Sequence, residues 1–347
     1  MEVSVRMRTT RVVQAVMLGG LVAAVAATPS SADSAKGTAA AATCAKATNI
    51  EAIVDDSASM SVTDPNRLRV QAMDLLINAL DSSTSLGAVQ FGSSFDPSVP
   101  SASVVFPAGA VGANAAAMKS ALDTAIQADD GGTDYNAAFN TGRAANPAAQ
   151  ARIFLTDGQH NVGDYLNAHL NPSGAQTPTY VIGFSPGLSG QEDQDRLAKI
   201  ASDTGGKYFP LPDASGLQAV MNDIETSLTC QSPPKTFTDL LAQGKAKSHT
   251  VNLPKSAKSA QIALSWPSPL DKFKISGIRI IRGGHVVARA AKVRKLKVTV
   301  KKGTTFTIVK VKRVVKGKLR FTVKATKVGS GVPKVSLTTQ VSQTRKH

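Results

Sequence analysis

The stretch Ile53-Val54-Asp55-Asp56-Ser57-Ala58-Ser59-Met60 ("IVDDSASM") sets an apolar run against two acids and two hydroxyls. A short apolar run of this kind reads as a buried strand, so the polar residues stand at its carboxyl end. In open α/β sheets that end is where ligands bind. Two later loops have the same character. In "DDGGTDYN" (129–136) Thr133 follows a glycine pair and precedes a helical pattern, and in "FLTDGQ" (154–159) Asp157 directly follows an apolar run. Asp55, Ser57, Ser59, Thr133 and Asp157 are two carboxylates and three hydroxyls, hard donors that suit Mg²⁺, or Mn²⁺ or Ca²⁺. Two carboxylates neutralise a divalent ion only nominally, so the ion could still accept a carboxylate from another molecule. Asp56, Asp129, Asp130 and Asp134 are expected to be solvated loop acids, and His160 and His169 surface residues rather than ligands.

Outward from these loops, strand and helix patterns alternate from Asn49 to about Thr229. Strands are expected at 49–54, 86–91, 103–107, 152–156, 180–184 and 207–209. Helices are expected from an Asp64-Pro65 start to about Leu80, then at 113–127, 134–145, 191–203 and from Leu217 to Leu228. This alternation predicts a doubly wound α/β sheet. After Cys230 the texture changes. "QSPPKT" (231–236) reads as a linker, and short alternating runs follow at 259–266, 275–281, 296–300, 305–311, 318–325 and 334–341. Leu319, Phe321, Val323 and Ala325 alternate with Arg320, Thr322 and Lys324, which predicts antiparallel sheet with a single buried face, a smaller all-β sandwich over 237–342.

Charge divides at the same place. Residues 1–230 carry 13 Lys/Arg against 22 Asp/Glu, whereas the last 117 residues carry 27 Lys/Arg against only Asp239 and Asp271. Such asymmetry marks two modules with different electrostatic tasks. Lys292, Arg294, Lys295, Lys297, Lys301, Lys302, Lys310, Lys312, Arg313, Lys316, Lys318 and Arg320 are the candidates for contact with an anionic envelope polymer or membrane surface. Nucleic acid is disfavoured, because Trp266, Phe273, Phe306 and Phe321 read as core and single-strand readers interleave aromatics with charge. At the other end, Arg6, Arg8 and Arg11 precede an apolar run (Val12–Ala27) and small residues. That is the layout of a secretory signal over 1–32, followed by an Ala/Ser/Thr-rich leader over 33–48. Cys44 and Cys230 are the chain's two cysteines, and in an exported protein they are expected to pair. The bridge would close a loop of 187 residues, which in a chain-entropy treatment contributes up to about 5 kcal/mol.

On these residues the segment 49–230 resembles a von Willebrand factor type A (VWA) domain. Asp55-x-Ser57-x-Ser59, Thr133 and Asp157 match its metal-ion-dependent adhesion site in order and position, and "YVIGF" and "KIASDTGGKYF" resemble its later segments. The resemblance implies divalent-cation-dependent binding of a protein ligand that presents an Asp or Glu carboxylate. It also implies that movement of the last helix can couple to affinity, which a Cys44–Cys230 tether would restrain. The stretch "HTVNLPKSAKSAQIALSWPSP" (249–269) resembles β-sandwich modules appended to secreted bacterial peptidases. The expected function is therefore a secreted, non-enzymatic, adhesion-type binding protein. A secreted hydrolase or hydrolase subunit, and a structural envelope protein with a non-adhesive metal site, are the alternatives; neither H-E-x-x-H nor G-x-S-x-G occurs.

Overall fold

The computed structural model describes residues 45–128, 131–184, 191–211, 213–289 and 294–345. The expected signal segment and nearly all of the leader lie outside them. The first half runs β1 (Asn49–Asp55), α1 (Met60–Thr63), α2 (Leu68–Ala79), β2 (Ser85–Phe91), β3 (Ala102–Ala110), α3 (Val111–Ala125), α4 (Tyr135–Ala145), β4 (Ala151–Thr156), β5 (Thr179–Phe184), α5 (Gln191–Asp203), β6 (Lys207–Leu211) and α6 (Leu217–Leu228). Its sheet has the order β3-β2-β1-β4-β5-β6, parallel except for the antiparallel edge strand β3.

Strand periodicity decides which side of this sheet each β1 residue serves. Ile50, Ala52 and Val54 pack with α2, α3 and α6, while Ile53 packs with Tyr135 and Phe139 of α4 and Leu197 of α5. The consecutive acids at the strand end therefore diverge. Asp55 shares the side of Ile53, and Asp56 turns toward α2. There, Arg69 donates to Asp56 (2.7 Å) and to Asp64 (3.1 Å), and all three side chains are fully buried. Asp64 also accepts from the backbone N–H groups of Leu68 (2.6 Å) and Arg69 (2.9 Å), so it caps α2 from four residues before the helix. This corrects the expected helix start at Asp64-Pro65: the short α1 comes first, and Arg67 adopts a left-handed conformation (φ 51°) before α2 begins.

The second half holds ten strands where six were expected: β7 (Lys235–Leu241), β8 (Ala246–Leu253), β9 (Ala257–Ser265), β10 (Lys272–Arg282), β11 (His285–Arg289), β12 (Arg294–Lys295), β13 (Lys297–Lys302), β14 (Phe306–Lys312), β15 (Gly317–Lys327) and β16 (Val335–Arg345). They form two five-stranded sheets, β12-β11-β10-β15-β8 and β13-β14-β9-β16-β7. Every pairing is antiparallel except the short parallel contact of β11 with β12. Leu319, Phe321, Val323 and Ala325 of β15 face Ile262 and Leu264 of β9 and Val309 and Val311 of β14 in one core.

The expectation of a single buried face holds for β15 but not for β14. Val309 and Val311 enter the sandwich core, whereas Phe306 and Ile308, on the opposite face, join the core of the α/β half. The sheet containing β9 and β14 is thus covered on both sides. Polar residues seal the junction: Gln218 of α6 donates to Thr305 (3.0 Å), Gln261 of β9 donates to Glu225 of α6 (3.0 Å), and Gln340 of β16 donates to Asp223 (2.7 Å). Residues 231–234 are held as well, through Ser232 N to the Gln343 carbonyl (2.9 Å) and Ser342 to Gln231 (2.7 Å). Both halves belong to one compact unit. Among the described residues no helix is long and apolar enough to cross a membrane.

Two stability tests follow from the buried charges. Arg69→Met leaves Asp56 and Asp64 buried without their counter-charge, and is expected to cost about 3–5 kcal/mol in urea unfolding. Glu51, in the middle of β1, is pushed up to about 7 from 4.5, chiefly by burial, with Asn146 and Arg152 offsetting part of the shift. A folded pKa above the unfolded value means that folding takes up a proton between the two. Stability from this group is therefore full below about pH 4.5 and is lost as pH rises to 7. Glu51→Gln should match the wild type near pH 4.5 and exceed it by roughly 1–3 kcal/mol near pH 8, measured by paired chemical denaturation.

Candidate metal centre

Backbone contacts bring three loops to the carboxyl end of the sheet. Asp56 N donates to the Phe91 carbonyl (2.8 Å), extending the β1–β2 pairing, and Ala58 N donates to the Gly131 carbonyl (3.1 Å), tying the first loop to the second. Gly92, at φ +128°, lies so close to the first loop that a Cβ would stand 2.3 Å from Ser57 N. Only glycine permits that approach. In the second loop Thr133 N donates to Asn161 Oδ1 (2.8 Å), and Asn161 N donates back to the Thr133 carbonyl (3.1 Å). The third loop is pinned by Tyr135, whose hydroxyl donates to the Gly158 carbonyl (2.6 Å).

All five sequence-selected residues meet in one hydrogen-bonded group. Ser57 donates to Asp55 Oδ1 through its backbone N–H (2.9 Å) and its hydroxyl (2.6 Å). Thr133 donates to Ser57 Oγ (3.2 Å), Ser57 and Ser59 hydroxyls are 3.3 Å apart, and Ser59 donates to Asp157 Oδ1 (2.9 Å). Asp55 and Asp157 are both 0% exposed, and Ser59 is half-buried. Burial, and after it the charge of Asp157, push Asp55 up to about 7, and burial raises Asp157 too. Two desolvated carboxylates that repel one another favour a proton or a cation between them.

The donor set fits a hard divalent ion. Gly158 leaves a cradle beside it, where a Cβ would lie 3.0 Å from Thr133 Oγ1 and 3.8 Å from Ser59 Oγ. No group of three or more His, Cys, Asp or Glu poised for a metal occurs among the described residues. An ion at this place would rest on two carboxylates and three hydroxyls.

Two residues of the site escaped the sequence reading. Thr156 donates to Asp55 Oδ2 (2.5 Å), and the Thr63 hydroxyl donates to Asp157 Oδ2. The available signals were position alone: Thr156 ends an apolar strand, and Thr63 stands one helical turn after Ser59. Three residues read as solvated are buried. Asp56 engages Arg69 and accepts from Gln127 N (2.9 Å) and Ala128 N (2.6 Å). Asp134 caps α4 through Ala137 N (3.0 Å) and accepts from Ser101 (3.1 Å). His169 is 1% exposed, between Tyr165 (2.5 Å) and Asp203 (3.2 Å). His160 is half-buried and accepts from Tyr135 N (3.1 Å). Asp129 and Asp130 lie outside the described residues.

The twelve basic candidates divide. Lys292 lies outside the described residues, and Arg294 and Lys295 form β12. Lys301 donates to the Asn78 carbonyl (2.9 Å) and Lys310 to the Ala79 carbonyl at the end of α2. Burial lowers the pKa of both; their hydrogen bonds to the last carbonyls of α2 make these two lysines a helix C-terminal cap rather than free surface. Lys297, Lys302, Lys312 and Arg313 are exposed on or just after β13 and β14, while Lys316, Lys318 and Arg320 are exposed on or beside β15, in the other sheet. Cys230 follows α6; its expected partner Cys44 lies outside the described residues.

Several solved structures are similar to this chain. A von Willebrand factor type A protein from Catenulispora acidiphila shares 15% identity over 87% of this chain and 63% of its own, with a TM-score of 0.42. The pilus adhesin SpaC from Lactobacillus rhamnosus GG shares 12% over 85% of this chain and 44% of its own (TM-score 0.41). Proximal thread matrix protein 1 from the mussel byssus shares 23% over 54% of this chain and 47% of its own (TM-score 0.42). This chain thus spans less than two thirds of each. No curated protein matches the sequence. Residues 49–223, just over half of the chain, match the von Willebrand factor type A domain, and the chain therefore belongs to that family.

Proposed function

We propose that this protein is a cation-dependent, adhesion-type binding protein without catalytic activity, exported from the cell. Its ion would be held by Asp55, Ser57, Ser59, Thr133 and Asp157, with Mg²⁺ the first choice and Mn²⁺ or Ca²⁺ compatible. When bound, the ion supplies an electrophilic centre for an Asp or Glu carboxylate of a protein ligand. The observation that carries this reading is the convergence of the five oxygen-bearing side chains on two buried, mutually repelling carboxylates. Family membership supports it.

The chain's own residues do the orienting. Thr156 and Ser57 fix the two oxygens of Asp55, and Thr63 and Ser59 fix those of Asp157. We further propose that Cys44 and Cys230 form a disulfide, and that the basic sandwich associates with an anionic envelope surface.

Calorimetric titration with Mg²⁺ is expected to give one site in the wild type and none in Asp55→Ala or Asp157→Ala, with circular dichroism unchanged. Equal affinity in wild type and Asp55→Ala would defeat the assignment. A pull-down from envelope extract should retain a protein ligand in Mg²⁺ and release it in EDTA; retention in both removes the cation dependence. Peptide mapping without reductant should recover the Cys44 and Cys230 peptides linked, and two titratable thiols per chain would exclude the bridge.

A further inference from the structure

The outward face of the β11-β10-β15-β8 sheet arranges its charge in a way that folding alone does not favour. Arg279 of β10 pairs directly with Arg289 of β11 on one side and with Arg320 of β15 on the other. Three arginines thus lie in a row across three strands, which are spaced about 4.8 Å apart. Farther along the same face, Lys274 of β10 is directly opposite Lys324 of β15. Like charges opposite one another in a sheet are destabilising.

The acids of the second half do not offset them. The second half has two acids, and both are engaged inside: Asp239 is buried against His249 (2.6 Å), and Asp271 is buried and accepts from Gly329 N (2.8 Å) and Ser330 N (3.1 Å). The Arg279 side chain donates a long hydrogen bond from Nη1 to the Gly277 carbonyl (3.3 Å). Between the arginine row and the lysine pair lies a row of hydroxyls, Ser276, Thr322 and Ser248, with Ser248 and Thr322 2.9 Å apart.

We propose that this face is a docking surface for an extended phosphodiester polymer without bases, held by Arg289, Arg279 and Arg320 at one end and by Lys274 and Lys324 at the other. Guanidinium forks match phosphate oxygens in pairs. From Arg320 to Lys324 the face runs roughly 13 Å along the strand, so one anion cannot satisfy both groups and a chain of anions can. The rows carry no aromatic side chain on which bases would stack and no aromatic or apolar anchor of the kind that seats a protein in a lipid interface. Complementarity of charge, with hydrogen-bonding hydroxyls between the two cationic groups, selects a polyol-phosphate chain. The assignment rests on the reading that the sandwich meets an anionic envelope surface, and is independent of the metal centre. It also redraws the basic surface: of the five residues named, only Arg320 belongs to the lysine-rich runs that sequence alone singles out.

The test uses the full chain and immobilised poly(glycerol phosphate) at near-physiological salt, read by biolayer interferometry. The triple variant Arg279→Gln/Arg289→Gln/Arg320→Gln should lose at least about tenfold in affinity, while Lys297→Gln/Lys302→Gln/Lys312→Gln, which removes the same charge elsewhere, should lose less than about threefold. EDTA and Asp55→Ala should leave binding unchanged. Equal losses from the two triples would overturn this face while sparing the broader reading of an anionic partner. No wild-type binding would overturn both. Tighter binding to single-stranded DNA or to anionic vesicles than to the polymer would overturn the ligand class. Thermal melting supplies a readout apart from binding: Arg279→Gln relieves repulsion and should melt at or above the wild-type temperature, and a clear drop would make the arginine row structural and overturn the proposal.

Discussion

The buried guanidinium of Arg69 is the constraint on which the candidate site depends. An unpaired carboxylate without solvent is costly enough that it would take up a proton or drag water inward. Asp56 is held instead by Arg69 on one side and by Gln127 N and Ala128 N on the other. One side chain therefore links the end of β1 to α2 and to the segment leading into the Thr133 loop. Because adjacent strand residues point to opposite faces, fixing Asp56 toward α2 aims Asp55 the other way, into the hydroxyl cluster. Asp64 completes the arrangement by sharing Arg69 while capping the same helix.

Much of this was legible in the sequence, for a physical reason. A parallel strand buried on both faces is mostly apolar, with Glu51 and Arg152 as the exceptions in β1 and β4, so the polar residue that ends the apolar run marks the sheet's carboxyl edge. β4 is buried along its whole length, and Asp157 stands immediately beyond it. The same rule locates Asp55 and, through the loop glycines, Thr133. What periodicity cannot report is a partner distant in the chain. Asp56 and Asp134 look like solvated loop acids until Arg69 and Ser101 are placed beside them. Thr156 looks like the last residue of a strand until its hydroxyl meets Asp55.

The second half was less legible because one of its sheets has no solvent face. β14 alternates Phe306, Ile308 and Lys310 with Thr307, Val309 and Val311, which resembles an amphipathic strand with one wet side. The former set instead meets α2 and the core of the other half, with Lys310 reaching the α2 C-terminus. Gln261 and Gln340, both buried, join β9 and β16 to Glu225 and Asp223 of α6. β7 and β8 were missed because their alternation is weak at the exposed ends of the strands.

That junction bears on how the α/β half could respond to a ligand. Any displacement of α6 along its axis would have to break buried side-chain bonds to two strands at once, and would strand Glu225, whose pKa burial has already pushed up to about 7. Leaving such groups unsatisfied costs about 1–3 kcal/mol each. The last helix is thus braced along its length by the sandwich. Coupling between the oxygen cluster and the rest of the chain is then better carried by the loops themselves, where Ala58 bonds Gly131 and Asn161 bonds Thr133. A readjustment of those backbone contacts would move the hydroxyls of Ser57, Ser59 and Thr133 while leaving both cores in place.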